Sequence, residues 1–258
     1  MDEPDVFEGA LRIARVEYPD LDLPLYRSRI EEFGRRARAG VTAKGRRGIE
    51  QFNSLFFDDL GFHGNAEDYY DPRNSYLNDV IDRRMGIPIS LSALYCEVAR
   101  RAGLRAHGVG FPGHFLAKCV HADGEVIVDC FNARSVTRDD CQELLDSFSP
   151  GGAPVSDEMF EIAAPRDILS RMLNNLRQIH AGRGEYSRAV RWIDLDLEFR
   201  PESPHNYRER GMLYIQMEEF GKAFADLERY VRLSPGSPDL PQVREQMQLL
   251  RKLLSHLN

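Results

Sequence analysis

From residue 185 onward the sequence repeats. Glu185 and Glu219, Tyr186 and Phe220, Ala189 and Ala223, Ile193 and Leu227, and Pro201 and Pro235 are each 34 positions apart. A period of that size means stacked helical hairpins, because one hairpin cannot bury its apolar face without a neighbour. Small residues at Gly211 and Ala223 let two antiparallel helices approach closely, large ones fill the space between hairpins, and a proline ends each second helix. The first copy, from about Ser170, is degenerate: Arg177 stands where the second has Gly211, and His180 where it has Tyr214. A further helix over 240–257 is expected to cap the array.

Upstream the character differs. Apolar spacing predicts helices over 6–17, 24–38 and 48–60, the last with Ile49, Phe52, Leu55, Phe56 and Leu60 on one face. Asp71-Pro72 and Asn74-Ser75 offer cap and first-turn residues for a helix reaching Arg84. The stretch 89–102 is apolar on most sides, which describes a helix in the middle of a domain. Three short runs follow, 104–111, 114–120 and 125–129, separated by Pro112-Gly113 and Asp123-Gly124, and the second break reads as a hairpin. One buried helix followed by a small antiparallel sheet is an α+β arrangement. Residues 150–154, Pro-Gly-Gly-Ala-Pro, are the best linker candidate. The expected division is a mixed domain over 1–150, a linker over 151–164 and a helical repeat region over 165–258.

Composition narrows the function classes. The 258 residues carry 34 Lys and Arg against 41 Asp and Glu, a net charge of -7, with no basic stripe. That argues against nucleic acid, whose nonspecific affinity comes from phosphate contacts. The N-terminus lacks an apolar signal-peptide core and no apolar run approaches membrane-spanning length, so neither a signal peptide nor a membrane partner is expected. Cys96, Cys119, Cys130 and Cys141 show no CxxC spacing, and free thiols in a cytoplasmic protein are the expectation. With no GxxxxGKS/T loop, GxGxxG turn, HExxH or GxSxG elbow, no cofactor or metal is expected.

Two motifs bear on chemistry. FPGHFL, residues 111–116, brings His114 into a strand, and VIVDCFN, residues 126–132, ends the next strand on Asp129. Paired as a hairpin, these strands bring the two side chains together. A carboxylate beside an imidazole orients the ring and stabilises its protonated form, which is two thirds of a nucleophile, base and orienter set. The missing third belongs at the start of the buried helix, where unpaired N–H groups and the helix dipole lower a nucleophile's pKa.

The stretches DPRNSYLNDVIDRRMGIPISL (71–91), YCEVARRAGL (95–104), GVGFPGHFL (108–116) and DCFN (129–132), with RMLNNLRQIH (171–180) and RERGMLYIQ (208–216), resemble the SirB-type transglutaminase-like proteins over nearly the whole chain. The resemblance implies a papain/transglutaminase-like core followed by tetratricopeptide-like repeats. In catalytic transglutaminase-like proteins a Cys opens the core helix, at the distance that separates Pro88 from Gly103 here, with His and Asp on adjacent strands. His114 and Asp129 match by position, but the Cys falls at or near Pro88, with Ser90 the closest side chain capable of attack. Cys96 is two helical turns further in, about 10 Å along the axis. After Asp129 the family's usual Pro and two glycines give way to Cys130 and Ala133-Arg134.

The leading expectation is therefore a noncatalytic bacterial protein that binds or regulates a protein or peptide partner. The alternative is a hydrolase or acyl transferase on peptide or amide bonds, with Ser90 as nucleophile, His114 as base and Asp129 as orienter. For the binding role, the usual repeat geometry turns Arg171, Asn174, Gln178, His205, Arg208 and Met212 to the concave side, a polar and mildly basic face able to take an extended or acidic segment.

Overall fold

The computed structural model describes residues 3–149 and 151–257, so Pro150 of the expected linker lies outside the described residues. The chain divides into two compact units, Met1–Met172 and Leu173–Asn258.

The first unit begins with helices α1 (Val6–Glu17), α2 (Leu23–Gly40) and α3 (Gly45–Ser54). Asp5 and Asp22 cap the first two, accepting hydrogen bonds from Glu8 N and Leu25 N. The helix expected over 48–60 is broken in two: α3 runs into a π-turn at Leu55–Asp59, where Leu60 N reaches back to Leu55 O. A two-residue strand β1 (His63–Gly64), helix α4 (Leu77–Arg83) and strand β2 (Met85–Gly86) follow, with β1 and β2 paired in parallel.

Helix α5 (Pro88–Arg101) is the axis of this unit, with Leu91, Leu94, Tyr95, Val98 and Ala99 removed from solvent. The Tyr95 ring packs on Phe52 and Phe56 at centroid distances of 4.8 and 5.1 Å. Strands β3 (Arg105–Val109), β4 (Leu116–His121), β5 (Gly124–Asp129) and β6 (Arg134–Val136) form one antiparallel sheet in that order. The β4–β5 hairpin pairs His121 with Gly124 and Ala117 with Val128. This register carries the residues just before β4 to the end of β5. Helix α6 (Arg138–Phe148) opens with Thr137 and Asp140 capping each other's backbone N–H groups.

The segment 151–164 does not behave as a linker. Phe160, in a 3-10 turn at Asp157–Phe160, is buried with Val109, Phe111, Leu116, Cys141 and Leu145. Ile162 forms a bridge to Val109, and Ala163 N donates to Gly108 O at 2.9 Å. Glycine and proline composition marks an irregular backbone correctly, but the apolar anchors at Phe160 and Ile162 hold it to the sheet. The division consequently falls between residues 172 and 173, inside helix α7 (Pro165–Gly182), rather than between 150 and 165.

The second unit continues through α8 (Tyr186–Phe199), α9 (Pro204–Gln216), α10 (Phe220–Leu233) and α11 (Leu240–Leu257). Helices α8 and α10 are both 14 residues long, as the repeat period requires. A Cβ placed on Gly211 would stand 3.0 Å from Leu227, so the hairpin of α9 and α10 closes over a position with no side chain. The degenerate first copy uses different means. Arg177 pairs with Glu209 at 2.5 Å and donates to Asn174, while His180 stacks on Trp192 at 6.0 Å and bonds Glu185 at 2.7 Å. Among the described residues no helix is long and apolar enough to cross a membrane.

Candidate functional site

His114 sits at the end of a turn whose N–H bonds Phe111 O at 3.0 Å, two residues before β4, and Asp129 is the last residue of β5. The hairpin register brings them together, with His114 Nε2 3.0 Å from Asp129 Oδ1 and both side chains buried. Asp129 also accepts from Phe131 N, Asn132 N and Asn132 Nδ2. Burial alone drives its pKa up, but the hydrogen bonds from His114 and Asn132 outweigh it and hold the carboxyl below its ordinary 3.8. An anionic carboxylate only accepts, so the proton of a neutral His114 is on Nε2 and Nδ1 keeps the lone pair.

This arrangement has a pH consequence. A carboxylate whose folded pKa is depressed adds stability that is complete above its unfolded pKa and is lost as pH falls through the folded value. The contribution of Asp129 is therefore whole above pH 3.8 and declines below it. Asp129→Asn should flatten the acid limb of a urea-midpoint profile against pH while lowering stability at neutral pH. An acid limb with unchanged slope would contradict this assignment.

The expected third member is not brought to the pair. Ser90 Oγ donates to Asn74 O at 2.6 Å and accepts from Ile87 N at 3.1 Å, at zero exposure. It closes the start of α5 onto the preceding loop. The physical reason lies in helical geometry: two residues beyond Pro88 means roughly 200° around the axis, so Ser90 points away from the face that Pro88 occupies. Four residues on, Ser92 shares that face. Its hydroxyl reaches Phe115 O at 3.4 Å and also the Cys130 thiol. The face of α5 bearing Pro88 and Ser92 is thus the one turned to the two strands, and the Ser90-His114 link of the expected triad is not formed.

No native thiol fills the vacancy. All four cysteines are free. Burial pushes Cys119 and Cys141 up to about 11 and raises Cys96 and Cys130 well above the ordinary thiol value, so none is a thiolate at neutral pH. Among the described residues no group of three or more His, Cys, Asp or Glu is gathered as a metal ion would need.

A loop over residues 65–74 borders the pair, and Asn74 fixes it. The buried Asn74 amide donates to Asp68 O at 2.7 Å and Tyr69 O at 3.2 Å, and its Oδ1 accepts from Asn65 at 3.1 Å and Arg83 at 3.4 Å. Asp71 beside it pairs with Arg73 and Arg83. The loop presents Tyr69 and Tyr70, 40% and 69% exposed, edge to face at 5.3 Å. Tyr69 meets Phe131 at 5.8 Å, and Phe131 meets the His114 ring at 6.3 Å. Phe131 sits here because Gly64 has no side chain, since a Cβ there would stand 2.5 Å from both the Phe131 ring and its carbonyl oxygen.

The residues expected on a concave repeat face are divided. Arg171 lies in the first unit, where its Nη2 donates to His114 O at 2.6 Å and its guanidinium covers the Phe115 ring at 5.3 Å. In the second unit Asn174 is held by Arg177, and Arg208 pairs with Asp239 at 2.6 Å and with Glu209 at 3.0 Å. Gln178 and His205 are exposed, and Met212 is half-buried. Sequence reasoning missed Tyr69, Tyr70, Phe131 and Ser92. Only Ser92 left a usable signal, its spacing of four from Pro88.

Residues 25–174 match the transglutaminase-like superfamily and residues 176–248 the tetratricopeptide repeat. The chain belongs to the transglutaminase-like superfamily, with an α+β core that carries a small antiparallel sheet followed in sequence by a helical tetratricopeptide region. It is similar over most of its length to proteins named UPF0162. One from Xylella fastidiosa (strain Temecula1) is 39% identical over 241 residues, 91% of this chain and 86% of that protein. One from Vibrio cholerae is 27% identical over 255 residues, 96% and 93% of the two chains. Human F-box only protein 21 is 30% identical over 181 residues, which are 66% of this chain and 28% of that larger protein.

Proposed function

We propose that this chain is a noncatalytic, cytoplasmic member of its superfamily that works by holding a protein partner. The observation that carries the reading is Pro88. By position the nucleophile that would open α5 falls at or near Pro88, on the helix face shared with Ser92, whose hydroxyl reaches Phe115 O, and a proline ring offers nothing to attack with. His114 and Asp129 stand 3.0 Å apart, as a base and its orienter would, and the Ser90 hydroxyl is spent on Asn74 O. Tetratricopeptide repeats generally mediate protein–protein interactions, which supports a binding role.

Two measurements on the full chain test this. A photo-crosslinking amino acid at the exposed His205 or Gln178 should capture one recurring protein in cells, and His114→Gln should leave that capture intact. Incubation of the purified protein with peptides from cell extract should produce no hydrolysis, deamidation or crosslinking. Turnover that disappears in His114→Gln would establish the hydrolase or acyl transferase instead.

A further inference from the structure

Arg171 is a guanidinium largely withdrawn from water, and no carboxylate answers it. Its Nη2 is used on His114 O at 2.6 Å, and its flat face covers Phe115. Nε and Nη1 bond nothing among the described residues. Other partly buried arginines are treated differently: Arg83 faces Asp71, Arg101 faces Glu97, Arg177 faces Glu209 and Arg210 faces Asp226. Arg84, which also has no carboxylate bond, is covered by the rings of Phe33 and Phe62 at 4.5 and 4.7 Å. Burial pulls the Arg171 pKa down, with Tyr69 the one neighbour acting the other way. A buried charge without a partner costs free energy that a bound anion returns.

We propose that Arg171, with Tyr69 near it and Tyr70 against Tyr69, receives a carboxylate side chain of an acidic peptide partner. The inference rests on the protein-binding reading above and assigns that reading a chemistry. Nη2 carries a second hydrogen beyond the one given to His114 O, and with the unused hydrogens of its neighbour on the same edge it supplies the two-donor fork that a carboxylate matches. Burial raises the Tyr69 pKa, so its phenol stays neutral and able to donate. Tyr70 extends an exposed aromatic wall of the kind that anchors peptide contacts. Because Asn74 pins the loop through Asp68 O and Tyr69 O, these rings are ordered before any partner arrives, which lowers the entropic cost of binding.

The charge count favours a carboxylate over a phosphate. One guanidinium balances one negative charge, and the anionic Asp129 lies just beyond the His114 ring. A phosphate dianion would bring a second charge, and the cations at the loop, Arg73 and Arg83, already pair with Asp71.

The test uses N-acetylglutamate N-methylamide as probe, its glutamine counterpart as control and inorganic phosphate as competitor, followed by NMR on the full chain. The glutamate probe should shift the Arg171 Nε–Hε and Tyr69 ring signals in a saturable way, with millimolar affinity, and the glutamine compound should not. Arg171→Met, which keeps the aliphatic cover on Phe115, should weaken binding about tenfold or more. Tyr69→Ala, at an exposed position, should weaken it severalfold with the rest of the spectrum preserved. The proposal is overturned if the glutamine compound shifts the same signals equally, if the glutamate probe produces no shift, or if phosphate binds more tightly. Equal binding by a folded Tyr69→Ala would also overturn it, should Arg171→Met fail to fold. The cellular crosslink separates the two claims: a partner retained by a folded Arg171→Met sinks this site alone, whereas no captured partner sinks the binding reading while the glutamate titration still judges the site.

Discussion

Pro88→Cys should create a thiol that reacts with iodoacetamide at pH 7 at least about tenfold faster than any native cysteine. A thiol at the N-terminus of a helix is acidified by unpaired backbone N–H groups and the dipole, and an adjacent imidazole adds to the effect. Position 88 opens α5 on the face that Ser92 shares, against Phe115 O, and His114 Nδ1 has the lone pair to take the proton. The background is quiet, since burial holds Cys119 and Cys141 near 11 and raises Cys96 and Cys130 well above the ordinary thiol value. Losing proline at the first helical turn costs little, because the N–H it lacks has no partner within the helix. Peptide mass spectrometry after timed labelling gives the rate at each cysteine. Adding His114→Gln should slow the new thiol and raise the pH at which it reacts. A rate no greater than that of the native thiols would mean that Pro88 does not face the base, and the noncatalytic reading would lose its carrying observation.

Asn74→Ala should destabilise the first unit by about 3 kcal/mol, read as a fall in urea midpoint. The cost comes from stranded partners: Asp68 O, Tyr69 O and Asn65 Nδ2 are all served by this one amide. The Tyr69 and Tyr70 ring signals should broaden or move, because the loop carrying them loses its anchor. A loss below about 1 kcal/mol would show that water replaces the amide without penalty.

The architecture was legible wherever apolar spacing dominates. The helix expected over 6–17 is α1, Val6–Glu17, and the buried stretch 89–102 is α5, Pro88–Arg101. The hairpin that unites His114 and Asp129 followed from turn chemistry at Asp123-Gly124, with Gly124 at φ 149°. Strands β1 and β2 are two residues each, too short for any period to register. Helix α6 was overlooked although Thr137 and Asp140 stand at capping-box spacing.

Within the site, a helical wheel centred on Pro88 already separates Ser90 from the strand-facing side, so that choice was decidable without coordinates. Arg171 was placed by repeat period alone, whereas it lies in the first unit and its nearest bond is to His114 O. Asn74 reads in sequence as a turn residue near a helix start. Its four hydrogen bonds come from residues before and after it in the chain, and no local pattern announces them.

The strap formed by residues 157–163 bears on solubility. Strand β3 is an outer strand of the sheet, and an outer strand with open N–H and C=O groups is a template for pairing with another chain. The Ile162 bridge to Val109 and the bond from Ala163 N to Gly108 O occupy part of that edge, while Phe160 seals the apolar cluster beneath. A fragment ended at residue 150, where composition invites a cut, would expose both edge and cluster and should self-associate into sheet-rich aggregates. One ended at Met172 keeps the edge covered and should remain dispersed.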